Sequence, residues 1–151
     1  MAFDSPAIAG SALYICTTAQ TGELLQAGFE ALTWVQIKKI GKFPESGIDS
    51  NIVKYDTVDT TVSVKSKGVS TSKDWTVEYA RSAGDAGQDA LRAAALTSSN
   101  YAFKMSKADG TVIYNIGIVT GPTRSGGGPD DVDTETMVIG TNMRDVVVDP
   151  S

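Results

Sequence analysis

The chain contains no histidine. That removes the commonest general base and the commonest zinc ligand, and with them serine–histidine and cysteine–histidine catalysis. A single cysteine, Cys16, lies in the apolar run "ALYICTT". It permits no intrachain disulfide and reads as a buried thiol. Carboxylates are what remains. A pair of them could hydrolyse a glycosidic bond, with Trp34 and Trp75 as sugar platforms. Both tryptophans sit among apolar strand residues, however, which is the setting of core side chains. "SGGGPDD" (125–131) is glycine-rich, but a phosphate loop needs Lys and Ser/Thr next and a helix behind. Pro and acids follow instead, so it reads as a flexible surface loop. Asp131, Asp133 and Glu135 alternate, and a strand would put them on one face. Calcium could bind such a face, but the glycine-centred twelve-residue calcium loop is missing. A solvated acidic face is the simpler reading. Lys38-Lys39 reads as a solvent-facing strand end. No catalytic, cofactor-binding or metal-ligating residue is assigned.

The bulk numbers fit one domain, residues 1–151. The chain has 151 residues, 41% of them hydrophobic and 21% charged. A domain of this length buries roughly 68–70% of the surface its unfolded chain exposes and needs no staples. The first residues, "MAFDSPAIAG", have neither a basic nor a long apolar segment, so no secretory signal is expected. No apolar run approaches the roughly 18 residues of a membrane span. Net charge is −5, and its placement is uneven: residues 1–125 hold 12 acids and 12 bases, whereas 126–151 hold six acids and one base. No basic patch suited to nucleic acid is concentrated anywhere.

The elements that must carry these residues are mostly strands. "SALYICTT" (11–18) reads as the first. Residues 19–31 form a small-residue connection with room for a helical turn around Leu24 and Leu25. "LTWVQIKKI" (32–40) is β-branched and aromatic, hence a strand. Gly41 to Ser50, "GKFPESGIDS", is punctuated as a loop. Strands follow at 51–58 and 60–66, with a turn at Gly68. "DWTVEYA" (74–80) alternates cleanly, with Trp75, Val77 and Tyr79 inward. A helix over 86–97 is capped by Asp85, with Gln88 three residues on. Its apolar stripe is Ala90, Leu91, Ala94 and Ala95. "NYAFKMSK" (100–107) turns Tyr101, Phe103 and Met105 inward. Asp109-Gly110 makes a hairpin with 111–119. A loop (120–130) and two last strands (131–140, 144–148) complete a mainly β chain: a β-sandwich or barrel of about eight strands with one flanking α-helix.

Three quoted stretches, taken in order, resemble the tail tube (major tail) proteins of long-tailed bacteriophages. They are "GFEALTWVQIKKIGKF", then "VKSKGVSTSKDWTVEYARSAGDAGQDALRAAALTSSNYAFKMSKADGTVIYNIGIVTGPT", then a closing β-hairpin. The resemblance covers about residues 28–140 and shows no appended immunoglobulin-like domain.

That resemblance implies a structural virion protein rather than an enzyme. Six copies form a ring, and rings stack around a tape-measure protein into the tail tube. The partners are then the chain itself, the tape measure and other tail proteins. DNA is only in transit through the lumen, and no membrane is entered. Assembly takes place in the host cytoplasm and the final location is the virion tail. Gly41, Lys42, Phe43, Pro44, Glu45, Ser46, Gly47, Ile48, Asp49 and Ser50 become the ring-stacking loop. Asp56, Asp59, Asp131, Asp133 and Glu135 become the candidates for an acidic lumen wall, since basic walls would hold phosphates. Other readings stay open. A related tube-fold part, such as a tail terminator or secretion-tube subunit, shares the fold. A carbohydrate-binding β-sandwich would need Trp34 and Trp75 exposed. A carboxylate hydrolase would need two acids facing each other across a cleft.

Overall fold

The computed structural model describes residues 10–59 and 61–150, so the expectation about a leader at the first residues lies outside the described part. The elements are β1 (Ala12–Gln20), α1 (Gln26–Glu30), β2 (Val35–Ile37), β3 (Ile40–Lys42), β4 (Ile48–Tyr55), β5 (Val64–Ser72), β6 (Trp75–Ala80), α2 (Ala86–Ala95), β7 (Asn100–Ser106), β8 (Val112–Arg124), β9 (Thr134–Thr141) and β10 (Val146–Val148). The fold is mainly β, as expected. One eight-stranded sheet runs β2-β1-β7-β8-β9-β6-β3, with β10 added on β8, and β4-β5 form a separate two-stranded ribbon.

The two edges of the large sheet, β2 and β3, are consecutive in the chain. Only Lys38 and Lys39 lie between them, and trans-linked Cα atoms are about 3.8 Å apart. The sheet must therefore curl until its ends almost meet. It does not close into a barrel, because β2 and β3 do not pair with each other. The expected strand 32–40 is thus two short strands broken at a corner, where Lys39 takes a left-handed conformation (φ 62°).

Alternation explains which residues fill the curl. Leu13, Ile15, Ile37, Trp75, Val77, Tyr79, Phe103, Met105, Ile113, Val119, Met137 and Ile139 form one buried cluster with Leu91 and Ala94 of α2. The inward phases expected for β6 and for Phe103 and Met105 on β7 hold. A second cluster lies on the other face of β1, β7 and β8. It joins Cys16, Ala102, Tyr114 and Ile116 to Phe29 of α1 and to Met143. There Phe29 stacks on Tyr114 with ring centroids 4.9 Å apart.

Helix α2 seals the open corner. Asp85 caps it by accepting from the Gln88 N–H at 3.0 Å, and the same carboxylate oxygen accepts from the Lys38 N–H at 3.3 Å. The Gln88 side chain does not return to the cap. It is fully buried and donates to the carbonyls of Lys38 (2.9 Å) and Ala80 (3.0 Å), while accepting from the Ser82 N–H at 2.8 Å. Beside it, a Cβ on Gly87 would stand 2.1 Å from the Gln36 carbonyl oxygen. Only glycine lets the helix lie this close to β2, which explains a residue that is otherwise unfavourable in a helix.

Candidate assembly surface

The most unusual part of the molecule is the ribbon β4–β5, residues 48–72. Its strands pair along their length, from Ile48↔Ser72 to Tyr55↔Val64, with a register shift between Ser50 and Ile52. Gly68 lies opposite that shift. A Cβ there would meet the Asn51 carbonyl oxygen at 3.1 Å, so this glycine serves a bulge inside a strand rather than the expected turn. At the foot, the Lys73 N–H donates to the Gly47 carbonyl at 2.9 Å.

Among the described residues, no other element packs over the apolar side chains of this arm. Ile52, Val53, Tyr55, Val58, Val62, Val64 and Val69 are all more than half exposed. Lone two-stranded hairpins are marginal in water and need a third element to pack against, and both long edges of this one carry unpaired backbone groups. A ribbon that bares these apolar side chains among polar ones, with both long edges free of a further strand, offers a surface on which another chain can pack.

The body anchors the arm through Asn115. This side chain is fully buried. Its amide donates to the Met143 carbonyl at 3.1 Å and to the Asp145 carboxylate, and reaches the Ser72 hydroxyl at 3.5 Å. Burial raises the Asp145 carboxyl above its ordinary range. The hydrogen bonds from Asn115 and from the Gly47 backbone offset only part of that rise. Both feet of the arm, Gly47 and Ser72, thus touch one polar cluster.

The expected loop Gly41–Ser50 is shorter than its punctuation suggested. Gly41 and Lys42 belong to β3; Ile48, Asp49 and Ser50 belong to β4. Only Phe43, Pro44, Glu45, Ser46 and Gly47 connect them, and Pro44 is buried. The stretch is the root of the arm. The projecting element lies beyond it, since β-strand pairing over 48–72 outcompetes the loop tendency of Gly, Pro and Ser.

The acid candidates separate. Asp56 and Asp59 are exposed at the tip of the arm, and Asp131 and Asp133 are exposed in the turn before β9. Asp131 accepts from the Gly128 N–H at 2.7 Å. Glu135 does not face solvent. It shares its face of β9 with Met137 and Ile139 and is 0% exposed. Its carboxylate accepts from Arg92 Nε at 2.8 Å, Tyr79 Oη at 2.9 Å and Arg124 Nε at 3.1 Å. Burial alone would raise this carboxyl, but the hydrogen bonds from Arg92 and Tyr79, with the charges of both arginines, hold it below the usual range. Burial, and then Glu135, push the Tyr79 phenol upward. Glu135 is therefore a core anion tying α2 to the sheet. The three acids do not share a face, and among the described residues no three metal-capable side chains converge.

The tryptophans are structural. Trp75 is 0% exposed, which removes it as a sugar platform. Trp34 is part-buried beside Tyr114 and Lys104, and its indole N–H donates to the Phe29 carbonyl at 3.2 Å.

No family model matches the chain, and no curated protein does. Among solved structures, the chain shares its fold with a chain of the anti-feeding prophage (AFP) baseplate, determined by cryo-electron microscopy with six-fold symmetry applied. The TM-score is 0.64 at 6% identity, over 97% of this chain and 98% of that one. The likeness of fold therefore extends over nearly the whole of both chains.

Proposed function

We propose that the chain is a structural subunit of a phage-tail-like particle, a ring-former whose six-fold rings stack into the tail tube. The observation that carries this reading is the uncovered arm 48–72. It bares seven large apolar side chains, is paired only with itself and is held at its feet by the body. A ring needs a heterologous contact, one patch meeting a different patch on the next copy, and stacking needs a second. The arm supplies a projecting half of such a contact, and its two long edges supply strands that neighbours can extend. The fold likeness to a baseplate chain from a six-fold assembly supports the same reading. We read the protein as a non-enzyme.

The remaining partners follow from that role: the tape measure and adjoining tail proteins by contact, and DNA in transit through the lumen. Asp56, Asp59, Asp131 and Asp133 are the exposed acids available to a wall over which a polyanion slides. Repeated around a ring, even two per chain set the field of the channel.

The matched chain comes from a baseplate, which favours a second reading in which this chain forms a terminal or baseplate ring. Electron microscopy of the purified protein tests both. A tube subunit gives long tubes, and a baseplate or terminator subunit stops at isolated rings. Replacing residues 49–71 with a two-residue Asn-Gly turn should leave a folded monomer that forms neither. Tubes from the armless chain would overturn the proposal.

A further inference from the structure

The arm has two unlike faces. Residues opposite each other in a paired ribbon share a face, and so do residues two apart on one strand. Lys54↔Lys65 and Ile52↔Lys67 therefore lie on one face, and Tyr55↔Val64 and Val53↔Ser66 on the other. Three lysines scattered in the sequence thus stand together, all of them exposed. Ile48, Ser50, Ser70 and Ser72 continue the same face towards the body, and none is an acid. Asp49 alternates to the other face and contacts Lys73 at 3.8 Å. Asp56 and Asp59 lie beyond the last pair, at the tip. Among the described residues no ion pair reaches Lys54, Lys65 or Lys67. Like charges directly opposite each other weaken a strand pair, and a lone hairpin is marginal to begin with. An anionic surface laid over this face would relieve the repulsion.

We propose that the lysine face of the arm docks on the acidic turn, residues 130–133, of a second copy of the chain. The inference rests on the self-assembly reading above and names one of its contacts. Three observations lead to it. First, the charges are opposite. Asp130, Asp131 and Asp133 are exposed, and among the described residues no ion pair reaches them. Two bases flank the turn. Arg124 is engaged with Glu135, which leaves Arg81, whose N–H donates to the Asp133 carbonyl at 2.9 Å, against three acids. Second, each patch sets a bare apolar side chain among its charges. Ile52 is 72% exposed beside the lysines, and Val132 is 67% exposed between the acids. The phosphates of a nucleic acid would suit the lysines but give Ile52 no apolar partner. Third, the two patches leave the sheet at opposite ends of β6. The arm closes at Lys73, just before Trp75, and the turn meets Arg81, just after Ala80. The six residues of β6, at about 3.3 Å each, separate them by roughly 20 Å. An arm on one copy and a turn on the next make a heterologous contact, which repeats from chain to chain instead of closing as a symmetric dimer. In this contact Asp131 and Asp133 lie between copies, whereas on a channel wall they would stay bare.

Charge reversal tests the contact. One chain carries Lys54→Glu, Lys65→Glu and Lys67→Glu. A second carries Asp130→Lys, Asp131→Lys and Asp133→Lys, and a third carries all six changes. Every site is exposed, and urea titration of each monomer checks that it folds. Light scattering and electron microscopy then follow assembly against protein concentration. Reversing either patch alone sets like charges against each other. It should raise the concentration needed for assembly by about tenfold or more, equivalent to about 1.4 kcal/mol or more of contact, with particles still forming above it. The gap should narrow at high salt, where exposed charges are screened. The third chain, acidic on the arm and basic on the turn, should assemble at nearly the wild-type concentration. Lys54→Gln, Lys65→Gln and Lys67→Gln together remove the arm's charge without reversing it and should weaken assembly in the same direction. Unchanged assembly by the arm variants would overturn the contact and leave the assembly reading standing; if those variants also lost binding to duplex DNA, the lysine face would belong to phosphates instead. A six-change chain as impaired as the single-patch reversals would overturn it too. A wild-type chain that stays monomeric at every concentration would overturn both readings.

Discussion

Replacing Glu135 with Gln removes the charge at the centre of the α2–sheet contact and changes little else in volume. In the native protein the carboxylate is 0% exposed and Arg92, its nearest partner, has 21% of its side chain exposed. Taking one partner from a buried pair leaves the other charge desolvated and costs about 3–5 kcal/mol. The lower end applies here, because the glutamine oxygen can still accept one donor and Arg92 keeps Asp89 at 2.8 Å. Arg124 adds little, since it is 63% exposed and such pairs are worth about 0–1 kcal/mol. The expected loss is about 3 kcal/mol at pH 7, a fall in Tm of about 6–12 °C for a domain of this size. The loss should depend on pH with a definite sign. The folded carboxyl sits below its ordinary value, so its contribution is complete above the unfolded pKa of about 4.3. It fades as pH falls through that value towards the lower folded one. Urea titrations of monomeric wild-type and E135Q protein at pH 7 and pH 3.5 measure both effects. A gap below about 1 kcal/mol at pH 7, or one that is equal at the two pH values, would refute the reasoning that Glu135 is a buried, ion-paired anchor.

Phe103 is 0% exposed in the main core. Phe103→Ala should cost about 3–5 kcal/mol in the same urea assay, because large aromatic deletions leave cavities that relax only partly. A cost below about 1 kcal/mol would place the β7 side chains on the wrong face. Replacing Asp131 and Asp133 together with Lys should cost the monomer no more than about 1 kcal/mol, for the lost Asp131 hydrogen bond, while reducing DNA delivery by assembled particles, less so at high salt where phosphate binding weakens. Normal delivery at low salt would remove these two acids from the channel wall.

Strand identity was legible wherever one face is buried. "DWTVEYA" and "NYAFKMSK" announce their inward residues by simple alternation, and the Asp85 cap marks the start of α2. The arm was not legible in the same way. Its strands have no apolar stripe facing the body, since all of Asn51–Asp59 is exposed. Gly68 there looks like a turn when it is a bulge. The corner at Lys38–Lys39 was hidden because its left-handed backbone is held by Gln88 and Asp85, nearly 50 residues away, rather than by a local glycine. Glu135 was misplaced although a signal existed. It shares parity with Met137 and Ile139, and an acid in step with two core residues is a buried acid. Its partner Arg92 lies on a helix 43 residues earlier, where no local pattern reaches. Asn115 likewise sits inside an apolar strand, where a lone amide marks a buried polar junction.

The closing hydrogen bond between Lys73 and Gly47 has a consequence for how such a chain can change. The arm leaves the body and returns to it at nearly one point, so its ends are already joined whatever lies between them. Loop closure grows costlier only slowly with length, by about 0.6 kcal/mol per doubling. Residues within the arm can therefore be lengthened, shortened or replaced with little demand on the sheet below. The body, by contrast, is bound by its curl, because a one-residue slip in any strand turns its inward side chains out. Variation should then collect in the arm and stay sparse in the strands. A lineage could exchange one neighbour for another by rewriting some two dozen residues, while the rest of the molecule goes on folding as before.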